Sequence, residues 1–202
     1  LTYQNGMRGV DISPSKTIDN DGWNATTLSL YSHAGTHMDA PLHFNVNKEG
    51  IDRTPLENCI GKAWIVDIRD CQEKQLLNIQ DLGKVMENFQ KGESLIFKTG
   101  WSKFVDLPEY RNALPRISAD LAYWCVNKGV KMLAVEPPSV ADVLNMGELT
   151  EVHTILLKGG ITIIEGLTNL ESIKSEYVEL YAIPLKIHHG DGAPARVFAI
   201  TD

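Results

Sequence analysis

The sequence predicts a mixed α/β domain. Three observations carry that expectation: short β-branched apolar runs recur along the chain, turn residues bound them, and amphipathic stretches fall between the later ones. The first run, 25–31, alternates Thr26, Leu28 and Leu30 with Thr27 and Ser29, the pattern of a half-buried strand. The next, 63–68, carries Ile65-Val66 and reads as a strand covered on both faces. Segment 78–90 sets Ile79, Leu82, Val85, Met86 and Phe89 on one stripe and reads as a helix. A strand follows at 94–98. Ser118 is a good N-cap for a helix carrying Leu121, Ala122, Cys125 and Val126, which Gly129 stops. After a strand at 131–135, segment 150–158 presents Val152, Ile155 and Leu156 on one helical face and ends at Gly159-Gly160. Segment 161–164 reads as a buried strand, and 180–187 and 196–200 as two more. Strands first, then helix and strand in alternation, favour α/β over all-β.

The 202 residues, 1–202, are enough to bury one sizeable core, and one domain is expected. Apolar residues make up 43% and charged residues 22%, which is ordinary for a globular chain. The net charge is -7 and no Lys/Arg run occurs, so neither nucleic acid nor a membrane surface is an expected partner. No apolar run approaches the roughly 18 residues that span a bilayer. Cys59, Cys71 and Cys125 are scattered and odd in number, which argues against a disulfide framework and for a reducing, cytoplasmic setting. The chain begins at Leu1 rather than Met, so upstream residues, a removed leader among them, are compatible with it.

Three of the six histidines stand within eleven residues, in His33-Ala-Gly-Thr-His37-Met-Asp39-Ala-Pro-Leu-His43. A helix is disfavoured there, because Gly35 weakens it and Pro41 pushes Ala40 out of the α region. In an extended chain His33, His37, Asp39 and His43 share one parity, and Gly35 permits a bend that brings His33 in. Imidazole and carboxylate together suit Zn²⁺ or Mn²⁺, and His, His and Asp leave coordination positions open for chemistry. A structural zinc site fits less well, since no cysteine is near.

This segment resembles the cyclase family that includes bacterial kynurenine formamidase and isatin hydrolase. The family pattern H-x-G-[TA]-H-x-D-x-P-x-H-[FY] is matched from His33 to Phe44. A second family block is matched from Glu151 to Leu170, and a third by Pro184-Leu-Lys-Ile and Gly190-Asp-Gly-Ala-Pro-Ala-Arg196. The resemblance implies a swivelling β/β/α domain with a mixed sheet and flanking helices, assembled as a homodimer or larger homo-oligomer. It implies one metal site at His33, His37 and Asp39, a second at Asp39, His153 and Glu165 with Asp39 bridging, and proton transfer by His43. The cofactor implied is one or two divalent ions per chain, Zn²⁺ first and Mn²⁺ second. Glu136-Pro-Pro-Ser139-Val-Ala141 departs from the family's acidic-x-x-Ser-hydrophobic-Asp stretch, with Ala141 in place of the final Asp, in a region expected to shape the substrate pocket.

The activity implied is hydrolysis of a small-molecule amide, an N-formyl arylamine or a related linear or cyclic amide, as in tryptophan catabolism. A metal-dependent cyclase or lactonase is the alternative within enzymes, and a non-catalytic metal-containing binding protein the alternative outside them. Trp101, Phe44 and Tyr3 are candidate substrate contacts, with Trp23 further upstream. Trp64 and Trp124 read as core. His188 and His189 are adjacent, so at most one of them would join any site.

Overall fold

The computed structural model describes residues 2, 3 and 7–201, with side chains from residue 9 onward. Two-stranded ribbons aside, nine strands and helices position the site. Strands β1 (Val10–Lys16) and β2 (Ala25–Leu30) form an antiparallel hairpin. Strands β3 (His37–Asp39), β4 (Ile60–Asp67), β5 (Ser94–Lys98), β6 (Met132–Val135), β7 (Thr162–Glu165), β8 (Tyr177–Pro184) and β9 (Gly192–Ile200) close into a barrel in the order β6-β7-β3-β9-β8-β4-β5. The run β4-β5-β6-β7 is parallel, and the remaining neighbours are antiparallel. Helices α1 (Ala119–Lys128) and α2 (Met146–Lys158) provide the crossovers that parallel strands need. The mixed sheet with flanking helices is the expected fold class.

Side-chain alternation along the strands makes two cores. Met38, Ile96, Ala134, Ile164 and Ala193 point into the barrel. Leu95, Phe97, Leu133, Val135 and Ile163 point outward, where Leu121, Cys125, Val152 and Leu156 of the helices cover them. Burying each large apolar side chain is worth about 1.5–3 kcal/mol. Parity therefore puts His37, Asp39 and Glu165 on the outward face, toward α2.

Local signals set the helix ends. Ser118 accepts a hydrogen bond from the Leu121 N–H, and Gly129 ends α1 in the left-handed region. α2 starts earlier than its apolar stripe suggests, because Asn145 caps it through the Glu148 N–H. His153 thus lies in the body of the helix and not in its first turns.

Three expectations are corrected. The helix read at 78–90 is broken by Gly83, at φ 50° and ψ -129°, into a 3₁₀ turn (Ile79–Leu82) and a single α turn (Val85–Asn88). The strand β2 is exposed on both faces and not half-buried, since among the described residues only β1 pairs with it and no element covers either side. The last barrel strands also shift: β8 begins at Tyr177, before the run at 180–187, and β9 begins at Gly192.

Candidate metal centre

Only three residues of the histidine segment are extended. β3 is wedged between β7 and β9, with His37 opposite Glu165 and Pro194, and Asp39 opposite Gly192. His33 and His43 reach the same place through turns and not by strand parity. Gly35 turns the chain before the strand at φ 66°. After it, His43 N–H bonds Ala40 O at 2.9 Å and Val46 N–H bonds Pro41 O at 2.9 Å. Two glycines make room. A Cβ on Gly192 would lie 2.7 Å from His33 Cε1, and one on Gly166 would lie 2.6 Å from the Gly35 carbonyl oxygen.

His33, His37, Asp39, His153 and Glu165 converge, and all five are buried. His33 Nδ1 hydrogen-bonds Asp39 Oδ1 at 2.9 Å, and the other close approaches are 3.7 Å for His37 Nε2 to Asp39 Oδ1, 3.2 Å for His37 Nε2 to Glu165 Oε2, 3.6 Å for His153 Nε2 to Asp39 Oδ2 and 3.4 Å for His153 Nε2 to Glu165 Oε1. Ligands about 2.1 Å from a tetrahedral Zn²⁺ stand about 3.4 Å apart, so these spacings suit a shared cation. The tautomers suit it too. His37 Nδ1 donates to Gly35 O at 2.9 Å and His153 Nδ1 to Leu149 O at 2.7 Å, which turns both Nε2 lone pairs inward. His37 Nε2 and Asp39 Oδ2 are buried with no hydrogen-bond partner. Orphaned polar atoms are costly in an interior, and a cation between them removes the cost. Three triads bring one ligand atom from each residue within 4.8 Å: the buried His33/His37/Asp39 and Asp39/His153/Glu165, which share Asp39, and the less buried His33/His43/Asp191. The residues therefore fit one or two divalent ions.

The electrostatics follow from this crowding. Burial disfavours the Asp39 charge, but the His33 hydrogen bond and the neighbouring imidazoles hold its pKa well below the usual carboxylate range. Burial and Asp39 both push Glu165 up, yet His153 and His37 bring it down. Burial would lower His33, but Asp39 and Asp191 raise it to about 9. His43 goes the other way, lowered by burial and by the His33 and His153 charges against the pull of Asp39.

His43 stands beside this cluster, its ring 4.0 Å from that of His33 and its side chain 25% exposed. Phe44 stacks on His153 at 4.4 Å and meets His43 edge-on at 4.6 Å, so it braces both rings. Sequence reasoning missed Asp191. Its carboxylate accepts from His33 Nε2 at 3.1 Å and lies 3.6 Å from His43 Nδ1. The only signal was its place between Gly190 and Gly192 in the third block.

A cavity of about 650 Å³ opens beside His33. Gly35, Thr36, Gly166 and Leu167 line it on the metal side, and Val105, Leu107, Pro108 and Arg111 across from them. Trp101 is not among its lining residues. That indole is buried against Ala113 and Leu114 and donates to Tyr110 O at 3.0 Å. Trp23 is exposed, Trp64 is buried and Trp124 packs partly against the helix core. The Tyr3 side chain lies outside the described residues. Neither His188 nor His189 joins the cluster; His188 Nδ1 bonds Asp52 at 3.1 Å. Segment 136–141 does border the cavity, through Pro138. Among the described residues no helix is long and apolar enough to cross a membrane.

The chain matches the model of the family described as Putative cyclase over residues 5–142. A kynurenine formamidase of Bacillus cereus is 34% identical over 177 residues, covering 86% of this chain and 78% of the relative. A kynurenine formamidase of Salinibacter ruber is 33% identical over 178 residues, covering 88% and 80%. Among solved structures, isatin hydrolase A of Ralstonia solanacearum superposes with a TM-score of 0.84 at 24% identity, covering 94% of this chain and 81% of the other.

Proposed function

The chain belongs to the cyclase family, and from that premise we propose that it is a metal-dependent amidohydrolase that cleaves an N-formyl arylamine or a related linear or cyclic amide. The observation that carries this reading is the gathering of His33, His37, Asp39, His153 and Glu165 around orphaned, inward-facing donor atoms. The bond assigned follows the relatives, which are named kynurenine formamidases.

His33, His37 and Asp39 would hold one ion and Asp39, His153 and Glu165 a second, with Zn²⁺ the first choice and Mn²⁺ the alternative. When bound, a divalent ion supplies Lewis acidity and lowers the pKa of water to about 7. The chain's own residues do the rest. Val105, Leu107 and Leu167 give the cavity an apolar lining for an aryl group. Phe44 acts as a brace for His43 and His153, and only through them on the substrate. Burial lowers the His43 pKa from its ordinary value, which favours a neutral ring that can take at a ring nitrogen the proton given up by the attacking water. His43 then delivers that proton to the departing amine nitrogen, which leaves poorly as an anion.

A homodimer or larger assembly belongs to the same proposal. The β1/β2 hairpin leaves Ile12, Leu28 and Leu30 exposed, and a two-stranded ribbon that no other described element covers is marginally stable in water. Sedimentation should show more than a monomer.

The activity test is formate release from N-formyl arylamines, run beside isatin-type amides and lactones with Zn²⁺- or Mn²⁺-loaded protein. Turnover of the amides supports the reading. Turnover of lactones alone reassigns the bond, and bound metal without any turnover removes the enzyme.

A further inference from the structure

Among the described residues, Arg111 is the one lysine or arginine that lines the cavity beside His33. It is partly buried. Its single hydrogen bond among the described residues is a long one, 3.4 Å from Nη1 to the adjacent Asn112 Oδ1, and no ion pair involves it. A guanidinium drawn out of water without a carboxylate is an incomplete interaction, because its planar fork matches a carboxylate through two parallel hydrogen bonds.

The backbone around Arg111 is fixed. Tyr110 OH donates to the Glu136 carbonyl at 2.9 Å, and the buried Trp101 indole holds the Tyr110 carbonyl. The Glu136 carboxylate is itself buried and accepts from Thr99 N–H at 2.7 Å, Trp101 N–H at 3.2 Å and Ser102 Oγ at 3.0 Å, and also from Gly100 N–H. Segment 99–110 is thus tied at both ends to one acidic anchor next to β6. The ordering cost of presenting Arg111 to the cavity is met in the fold, before any ligand arrives. Asp106 shares the lining, but it is exposed, where water and salt screen its charge.

We propose that Arg111 is a specificity-determining residue that binds a carboxylate on the substrate, so the preferred substrate is an anionic amide with its carboxylate remote from the scissile bond. The nature of that bond rests on the amidohydrolase reading above; the charge preference rests on the cavity alone.

Two measurements separate these. The first is equilibrium binding of an arylamine that carries a side-chain carboxylate, and of its methyl ester, to metal-loaded wild type, Arg111→Gln and Arg111→Lys. The second is kcat/KM for the N-formyl forms of the same pair. Wild type should bind the acid about tenfold tighter than the ester. Arg111→Gln should lose that preference while ester affinity stays within about twofold, and Arg111→Lys should keep part of it. In turnover the change should fall on KM and leave kcat nearly unmoved. Equal binding of acid and ester by wild type, or a preference that survives in Arg111→Gln, overturns the proposal. A binding preference that follows Arg111 without hydrolysis of either formamide upholds the carboxylate site and sinks the amidohydrolase reading. Hydrolysis of both without preference does the reverse.

Discussion

Asp39 is the residue on which the site turns, because both of the fully buried triads use it. Asp39→Asn keeps the shape and removes the charge, so metal content by elemental analysis should fall to near zero, whereas His153→Ala should leave the His33 triad able to hold one ion. His43→Ala should lower kcat by about 10²- to 10⁴-fold with metal content unchanged, the range for a lost general acid; equal losses of both would make His43 a ligand instead. His33 gives a pH signature in the metal-free protein. Its folded pKa, about 9, lies above the ordinary 6.5, so protonation stabilises the fold. That contribution is complete below about pH 6.5 and is lost as pH rises through 9. The Tm of metal-free protein should therefore drop across that window, and Asp191→Asn should flatten the drop. A Tm that is level over the window would contradict the His33–carboxylate pairing. The convergence of the proposed metal ligands was legible in the sequence because four of the six histidines and their carboxylates sit in dense blocks. Asp191 and Arg111 were not, since a single charged residue in a loop, or in a one-turn helix such as Glu109–Asn112, has no spacing to betray its partner.

At the scale of elements, the convergence of His33, His37, Asp39 and His43 was legible but its cause was not. Equal parity suggested one extended segment; the chain uses a three-residue strand between two turns. The turns depend on close backbone approach, which a single sequence does not display. Gly192→Ala tests it. Its Cβ would press His33 Cε1 at 2.7 Å and Met38 O at 2.8 Å, so stability should fall by about 1–3 kcal/mol and metal affinity with it. Ser118→Ala is the control: loss of the α1 cap should cost about 1 kcal/mol in denaturant unfolding and leave metal affinity untouched. Helix α1 was fully readable because its cap, stripe and stop lie within twelve residues. The break at Gly83 was not, since an amphipathic stripe continues across it. The exposure of β2 was hidden for a different reason: alternation says which side chains share a face, and not whether anything covers that face.

In the whole molecule, the parallel half of the barrel could be anticipated from helices between strands, but closure could not. Seven strands have many possible orders, and the pairings that close this one join residues far apart, such as His37 with Glu165 and with Pro194. Those same pairings assemble the site, for β7 delivers Glu165 and β9 delivers Gly192 beside the metal strand, while α2 lays His153 over them. Fold and centre are one construction, so removing metal should loosen both, and chelation should lower the Tm in proportion to metal affinity. The most direct test of the account is anomalous scattering from crystals grown with Zn²⁺ or Mn²⁺. The account predicts peaks bounded by Asp39, one with His33 and His37 and the other with His153 and Glu165. A metal peak at His188 and Asp52 instead, or none within reach of Asp39, would contradict it.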